Sequence, residues 1–506
     1  MPVWLFLASF GAYILNGGVF PLANDAKGSM LFSLNALKNH SLSIEPWQAP
    51  ADFIWRLTQP DGTEKRIKVG QWNSQLDALY RDGQLSAREG YYMVPSVHPG
   101  RYINTFGLGA VLTVLPAYAV MNLFTDLAAN RSAWYYGTKA VSSMLVAGAV
   151  VLIFLTMRRF AIPAVPAAVG ALTFGLGTIA WSVSSQLLWQ QTPALFFLAL
   201  GAWCLAGVEA RPRLAAYCGM AFGMATLCRP TAAISTLLVG GYLLWLALWP
   251  GVLSRLRPGA ERVAFNWRPF LLYALSGLPF ALLLGAYNAY YLGSPFTSGQ
   301  VLGAEQIDMI RKGADGFWQT PLAEGLAGLL FSPSRGLFVY SPVLALGLVG
   351  AVMAWKSPRA FAMLIPLQAA VVLDVMLNAK HFDWWGGLTY GPRRLVDTGV
   401  FLTLLMIPVI ARVVRVRWMC AVFGVLLLYS VSVQVIGAWS YYLGGWENKG
   451  GMNIDRVEHR HRLWSWSDTQ IGFHVTHFQE SMRYRKAVIE DYLNLEGPVI
   501  TSLRER

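Results

Sequence analysis

The sequence predicts an all-α polytopic membrane protein of about 11 transmembrane helices. Three observations carry the prediction. Of the 506 residues, 55% are hydrophobic and only 13% are charged, and the mean hydropathy is +0.43; a soluble domain carries about twice that charged share. Apolar runs of about 20 residues, the length that crosses a bilayer, recur along the chain. Rings are plentiful (20 Trp, 21 Tyr, 26 Phe), as expected where aromatic side chains line both membrane interfaces. The net charge of +13 is of the kind that membrane proteins collect in cytoplasmic loops, and no basic soluble domain stands out that would bind nucleic acid. Cys204, Cys218, Cys228 and Cys420 all fall inside apolar runs, so neither a structural disulfide nor a cysteine metal site is expected.

The first run, 2–21, has no Lys or Arg before it, and Pro21 spoils a cleavage site in "PLANDA"; it reads as a retained span rather than a signal peptide. The further expected spans are 136–157, 162–181, 191–208, 213–228, 231–249, 269–290, 336–355, 359–378, 396–411 and 417–440. The run 103–124 is decided by charge. Basic clusters stand at Arg158 and Arg159, Arg211 and Arg213, 255–268, 356–359 and 412–417. All face the cytoplasm together only if 103–124 does not cross. Its small residues and central Pro116 also suit a helix lying along the external surface. The N-terminus is then cytoplasmic and the C-terminus external.

This orientation divides the chain into a transmembrane module, 1–440, and an external C-terminal segment, 441–506, expected to pack on the external face. The module carries external loops 22–135, 291–335 and 379–395. The first loop opens with an amphipathic stretch, about 26–38, and holds a β-hairpin in "DFIWRLTQPDGTEKRIKVG", where Pro60-Asp61-Gly62 turns between two β-prone runs.

Polar groups at the mouth of a bundle are functional candidates. On the external side these are Asp25, Lys27, His98, Arg101, Gln190, Gln191, Arg229, Arg335, His381, Asp383, Arg393 and Arg394. No zinc, Walker or nucleophile-elbow motif is present. Asp25 is either the N-cap of the helix that follows or a base, since a carboxylate at a low-dielectric boundary can take a proton from a hydroxyl. Arginines fork onto phosphate, or simply snorkel to the interface; five on the face that the positive-inside rule depletes favour the first. One base with several phosphate clamps suits attack of an acceptor hydroxyl on a sugar carried by a lipid phosphate, in a single inverting displacement.

Six stretches in order then resemble the GT-C superfamily of membrane glycosyltransferases, most of all the bacterial relatives of protein O-mannosyltransferases and of the lipid A aminoarabinose transferase. They are "NDAKGSMLFSLNAL", "VHPGRYINTFGLGAVLTVLPAYAV", "WSVSSQLLWQQTPALFFLAL", "YNAYYLGSPFTSG", "LLFSPSRGLFVYSPVLAL" and "DWWGGLTYGPRRLVD". The resemblance implies a polyprenyl-phosphate sugar donor, an external active site, Asp25 as catalytic base and a juxtamembrane helix at 103–124; the external charges themselves supply the expected donor-phosphate contacts, Arg101, Arg229, Arg393 and Arg394, with His98. Lys27, Gln190, Gln191, Arg335, His381 and Asp383 would line the site. Many relatives carry a second acidic residue where this chain reads Gln190-Gln191-Thr192, so no metal or other cofactor is expected. His98 either touches a donor phosphate or is a capped loop residue.

The resulting expectation is an inverting glycosyltransferase of a bacterial cytoplasmic (inner) membrane with its active site facing outward. It would move a sugar onto a lipid, glycan or protein acceptor of the cell envelope. Two other readings stand beside it: a lipid-linked sugar flippase or transporter, and an O-antigen-type oligosaccharide ligase. Transporters place charges near the bilayer midplane; here Asp374 is the main charge inside a span.

Overall fold

The computed structural model describes residues 1–16, 24–59, 61–90, 92–256, 265–306, 314–357, 361–413, 415–495 and 497–501. Residues 17–21 of the first expected span, Pro60 of the expected turn, Arg257 and Arg262 of the third basic cluster and Arg359 of the fourth lie outside them.

The helices, in order, are α1 (Pro2–Ile14), α2 (Asn24–Asn39), α3 (Ser74–Arg81), α4 (Leu108–Asn122), α5 (Arg131–Arg159), α6 (Ala164–Gly177), α7 (Gln191–Leu205), α8 (Leu214–Cys228), α9 (Ala233–Leu256) and α10 (Arg268–Leu292). They continue with α11 (Gly299–Gln306), α12 (Ala314–Phe317), α13 (Leu322–Phe331), α14 (Leu337–Tyr340), α15 (Ala345–Trp355) and α16 (Leu364–Lys380). The last are α17 (Val396–Leu405), α18 (Ile407–Val413), α19 (Arg417–Ser440), α20 (Gln470–Thr476) and α21 (Phe478–Leu493).

Among the described residues, four helical segments are long and apolar enough to cross a membrane: α5, Pro230–Pro250, α10 and α19. The bent pair α17–α18, 46° apart, adds a fifth if it is one span. The other expected spans are shorter helices. The reasons are local. The run 162–181 ends as α-helix at Gly177, where Thr178 turns to extended backbone before a π-helical turn at Ala180–Ser184. The run 336–355 breaks at Pro342, which lacks an N–H and pushes Ser341 out of helical geometry (φ −144°, ψ 64°). Pro408 accounts in the same way for the bend after Leu405. The apolar helix α13 stands inside the expected loop 291–335, where no helix was foreseen.

Helix packing follows the small residues. Gly219 and Gly223 of α8 face Gly277 of α10, and an added Cβ at Gly219 would collide with the Tyr273 carbonyl. The far side of α10 turns Leu271, Leu275, Leu278 and Leu282 outward, an apolar surface suited to hydrocarbon. The helix α5 runs 29 residues, roughly 44 Å at 1.5 Å per residue. It begins at Arg131, beside Tyr492 and Gly497 of the C-terminal segment. It ends at Arg159, stacked 4.1 Å from the Trp203 ring centroid. The basic end of α5 is therefore opposite the end that meets the tail. The helix α4 meets the last residues of α8 at Gly109 and the early turns of α5 through Tyr118–Thr138 and Met121–Gly137. This placement is that of a helix laid across the end of the bundle.

The expected hairpin is larger than foreseen. Strands β2 (Ile54–Thr58) and β3 (Glu64–Ile67) pair antiparallel, with Trp55 opposite Ile67 and Thr58 opposite Glu64, and β4 (Leu85–Arg88) adds to the other edge of β2. A second three-stranded sheet orders β1 (Ser43–Ile44), β6 (Tyr102–Asn104) and β5 (Met93–Pro95). Both sheets belong to the first loop. The tail closes over it: Val499 N–H donates to the Ala128 carbonyl at 2.7 Å and Thr501 N–H to that of Gln48 at 2.8 Å.

The spans also hold more charge than Asp374. Lys139 is buried in α5, donating to Asn16 Oδ1 (2.6 Å) and Gln186 Oε1 (2.8 Å). Arg485 of α21 reaches beside it to the carbonyls of Asn16 and Ala438, both at 2.7 Å. Arg485→Ala strands the Asn16 carbonyl, at about 1–3 kcal/mol, whereas the Ala438 carbonyl keeps its bond from Asn16 Nδ2 at 2.7 Å. A fall of several degrees in the thermal midpoint of the detergent-solubilised protein is expected, with earlier proteolysis of the tail and partial recovery in Arg485→Lys.

Candidate active site

A cavity of about 640 Å³ opens where the loop-bearing ends of the helices meet. Eight of the twelve sequence candidates line it: Asp25, Gln190, Gln191, Arg229, His381, Asp383, Arg393 and Arg394. Its apolar wall includes Phe106, Trp189, Phe296, Phe317 and Trp318, and the tail contributes Leu443 and Asp455.

Each acid and base is placed by a local feature. Asp25 sits in the first turn of α2, where the helix dipole favours an anion. Arg229 caps the C-terminal end of α8 with extended backbone (φ −141°, ψ 109°), and Pro230 starts the next turn. Arg393 and Arg394 begin the turn into α17 after a loop bent by Gly386, Gly387 and Gly391, all at positive φ. Gly391 also lies so close to Tyr340 that a Cβ would stand 2.7 Å from its ring.

The arginines are already paired. Arg393 Nη1 donates to Asp25 Oδ2 at 2.6 Å and Nη2 to the Gly386 carbonyl at 2.9 Å, with the guanidinium 4.5 Å from the Trp189 ring centroid. Arg394 forms an ion pair with Asp383, and its Nε donates to the Asp383 carbonyl at 2.7 Å. Arg229 Nη1 donates to Asp397 Oδ2 at 2.5 Å, and its Nη2 to Asn378 Oδ1 (3.2 Å) and to the Arg394 carbonyl (3.0 Å). Asp374 supports that group: it accepts from Thr398 Oγ1 at 2.6 Å and from Asn378 Nδ2 at 3.0 Å.

His381 Nδ1 accepts from the Asp383 backbone N–H at 3.3 Å and stands 2.7 Å from Asp383 Oδ1. Burial, then the charges of Arg394, Arg229 and Arg393, hold the imidazole well below its ordinary range. Gln190 accepts from Gln300 Nε2 at 2.8 Å; Gln191 Oε1 is buried with no hydrogen bond among the described residues. No three His, Cys, Asp or Glu side chains among the described residues converge as a metal-binding group.

The remaining four candidates lie elsewhere. Lys27 turns away from the cavity into an ion pair with Asp52, between Tyr92 and Tyr492. His98 packs 4.6 Å from the ring of Tyr290, at the end of α10, while Arg101 is exposed. Arg335 is wholly buried, donating to the carbonyls of Trp385 (3.0 Å), Ser334 (2.7 Å) and Gly387 (3.3 Å) and to Gln470 Oε1 (2.9 Å). It is therefore a brace behind the site, not a wall of it.

The sequence reading missed Asp397, Trp189 and Gln470. Asp397 carried a signal, a carboxylate in the first turn of an apolar run. Gln470 carried none. Its amide accepts from Arg335, Tyr340 Oη (2.7 Å) and Gly391 N–H (2.9 Å), and donates to Thr389 O (2.9 Å) and Glu447 Oε1 (2.6 Å). The tail thus fixes the loop that carries Arg393 and Arg394.

No family model and no curated protein matches this chain. Among solved structures, it is similar to an oligosaccharyltransferase from Archaeoglobus fulgidus tethered with an acceptor peptide containing the NVT sequon, at 11% identity and a TM-score of 0.46 over 91% of this chain and 57% of that one. It is also similar to ArnT from Cupriavidus metallidurans bound to undecaprenyl phosphate, at 13% identity and a TM-score of 0.41 over 86% of this chain and 75% of that one. The chain spans little more than half the length of the oligosaccharyltransferase. A likeness of this extent carries neither fold nor activity across to this protein.

Two measurements probe the electrostatics. Asp397→Asn removes the carboxylate bonded to the Arg229 guanidinium, a loss of about 3–5 kcal/mol for a buried pair, whereas Arg229→Leu with Asp397→Leu costs less; thermal unfolding of both variants checks the order. Burial pushes the Glu447 carboxyl up to about 7, against the opposing charge of Arg335. With the folded value above the free value of 4.5, this group's contribution to stability is full at low pH and is lost as pH rises through about 7. Proteolysis of the tail should therefore quicken over that range in the native protein and lose part of that pH dependence in Glu447→Gln.

Proposed function

We propose that the protein is an inverting glycosyltransferase that moves a sugar from a polyprenyl-phosphate donor to a cell-envelope acceptor, on the outward face of a bacterial inner membrane. The observation that carries this reading is the single cavity in which Asp25, Arg393 and Arg394 stand together beside aromatic rings. Its volume suits a sugar phosphate. In this reading, the donor phosphate takes up Arg393 and Arg394 in exchange for the carboxylates now on them, and both guanidiniums stabilise the charge that grows on the phosphate as it leaves. Trp189 and Trp318 offer faces to the apolar side of a sugar ring. The acceptor hydroxyl attacks the anomeric carbon from the side opposite the phosphate, and that carbon inverts.

Asp25 takes the acceptor's proton once the phosphate has replaced it on Arg393. Gathering these groups at one end of the bundle favours surface chemistry over alternating access. Arg101, Lys27, His98 and Arg335 have no part in this reading, since none of them lines the cavity. No step in it requires a metal.

Asp25→Asn should lower transfer at least 100-fold in a protein that still folds in detergent, with a smaller fall in thermal midpoint than Asp397→Asn, because the Asp25–Arg393 pair is less buried. Turnover that survives the substitution would remove Asp25 from the mechanism. Mass spectrometry of cell-envelope glycolipids and glycoproteins, with and without the gene, should show the loss of one defined sugar increment; an unchanged envelope would overturn the proposal.

A further inference from the structure

We propose that the arginine-lined face of the sheet β3–β2–β4 holds an anionic glycan beside the cavity; that this glycan is the acceptor rests on the glycosyl-transfer reading above. Strand residues alternate between the two faces of a sheet, and here the faces differ in character. One face buries Leu85 and Trp55, with Trp55 packed on the rings of Trp72 and Tyr80 at centroid distances of 5.1 and 5.8 Å. The other turns Arg56, Arg66, Ser86 and Arg88 to solvent. On it, Ile54, Arg56, Glu64, Arg66 and Arg88 line a hollow of about 410 Å³.

The register puts like charges together. Arg56 stands directly opposite Arg66 on β3 and opposite Ser86 on β4, so that Arg88, two residues beyond Ser86, is its diagonal neighbour. Directly opposed like charges destabilise a strand pair. Glu64 offsets only part of this. It accepts from Arg56 Nη1 at 2.9 Å, but the two side chains are 46% and 50% exposed, where solvent screens an ion pair. Arg66 meets no carboxylate among the described residues. A face that serves only solubility intersperses both signs. This one keeps three guanidiniums against one carboxylate, and an anion laid over them relieves the repulsion.

The chemistry of the face selects the occupant. Guanidiniums fork onto carboxylates and phosphates. Cross-strand neighbours lie about 5 Å apart and diagonal ones about 7–8 Å, which suits several anionic groups in succession rather than one. A protein partner would bring aromatic or aliphatic anchors to apolar pockets. A lipid surface would take up apolar side chains. Among the described residues of 54–90, no large hydrophobic side chain is exposed, and Ile54, the apolar member of the hollow, is partly buried. A hydrated chain of charged sugars needs no such anchor.

The face also abuts the cavity wall. Arg88 Nη2 donates to the Gln306 carbonyl at 3.3 Å, at the end of α11, and Gln300 and Val301 of the same helix line the cavity. From Val301 to Gln306 the helix rises about 7.5 Å. A glycan seated on the arginines reaches along α11 to the cavity, where its hydroxyl meets Asp25.

The test uses the full-length protein in detergent, titrated in a calorimeter with oligogalacturonate and with a neutral oligogalactan of the same length. The native protein should bind the charged probe at least tenfold more tightly than the neutral one, and added salt should weaken that binding, because exposed charges are screened. Arg56→Gln with Arg66→Gln should lower the affinity at least tenfold, with a thermal midpoint equal to or above the native value, since the opposed charges are gone. Arg81→Gln, on the helix α3 that packs against the opposite face, should leave the affinity within twofold. A double variant that binds oligogalacturonate as the native protein does overturns the inference, as does equal binding of the neutral probe. A double variant that loses affinity for short-chain phosphatidylglycerol or for an oligoglutamate peptide, but not for oligogalacturonate, overturns it too and gives the face to lipid or to protein. None of these titrations needs a donor. A native protein that binds the charged probe yet releases polyprenyl phosphate from no polyprenyl-phosphate sugar upholds the surface and removes the transfer reading alone.

Discussion

A guanidinium taken out of water has to be paired, and this constraint organises the functional end of the molecule. Three arginines enter the cavity wall, and each meets a carboxylate: Arg393 with Asp25 and Arg229 with Asp397 from distant parts of the chain, Arg394 with Asp383 within one loop. The first pair joins α2 to the loop before α17, 368 residues apart in sequence. The third joins the end of α8 to the start of α17. Charge pairing therefore does two jobs at once: it closes the bundle's end, and it leaves a set of cations poised to exchange one anion for another.

The tail adds a second constraint. Gln470 offers one amide to five neighbours, and Arg335 offers one guanidinium to four. Both are fully buried, and both act on the loop 381–394 or its supports. A polar network pays off only when every member is satisfied, so the tail and the loop are expected to order together. This is why a segment remote in sequence from every candidate residue belongs to the site's architecture.

Much of this was legible beforehand. Apolar runs located the helices, because burying about 20 apolar residues in hydrocarbon is a local property of the sequence. Asp25, Arg229, Arg393 and Arg394 were picked out as charges at the mouths of apolar runs, and the structure brings these four to one cavity. Arg335 was picked out on the same grounds and proves to be an internal brace, because its partners come from residues 50 and 135 positions away. The breaks at Thr178 and Pro342 were not foreseen; a hydropathy run records how apolar a segment is, not whether its backbone can stay helical.

The sequence by itself determined the class of the protein, the ends of the bundle that carry basic residues, and which side chains were unusual enough to matter. Composition and spacing suffice for these because each depends on the transfer of one residue or one run between water and lipid. Only the tertiary structure decided which of those side chains face a common space and which neutralise one another. Asp25 and Arg393 were separate charges in the sequence, and three-dimensional packing made them an ion pair at the cavity wall. Pairing energies depend on distance and burial, and neither can be read until distant segments of the chain have been brought together.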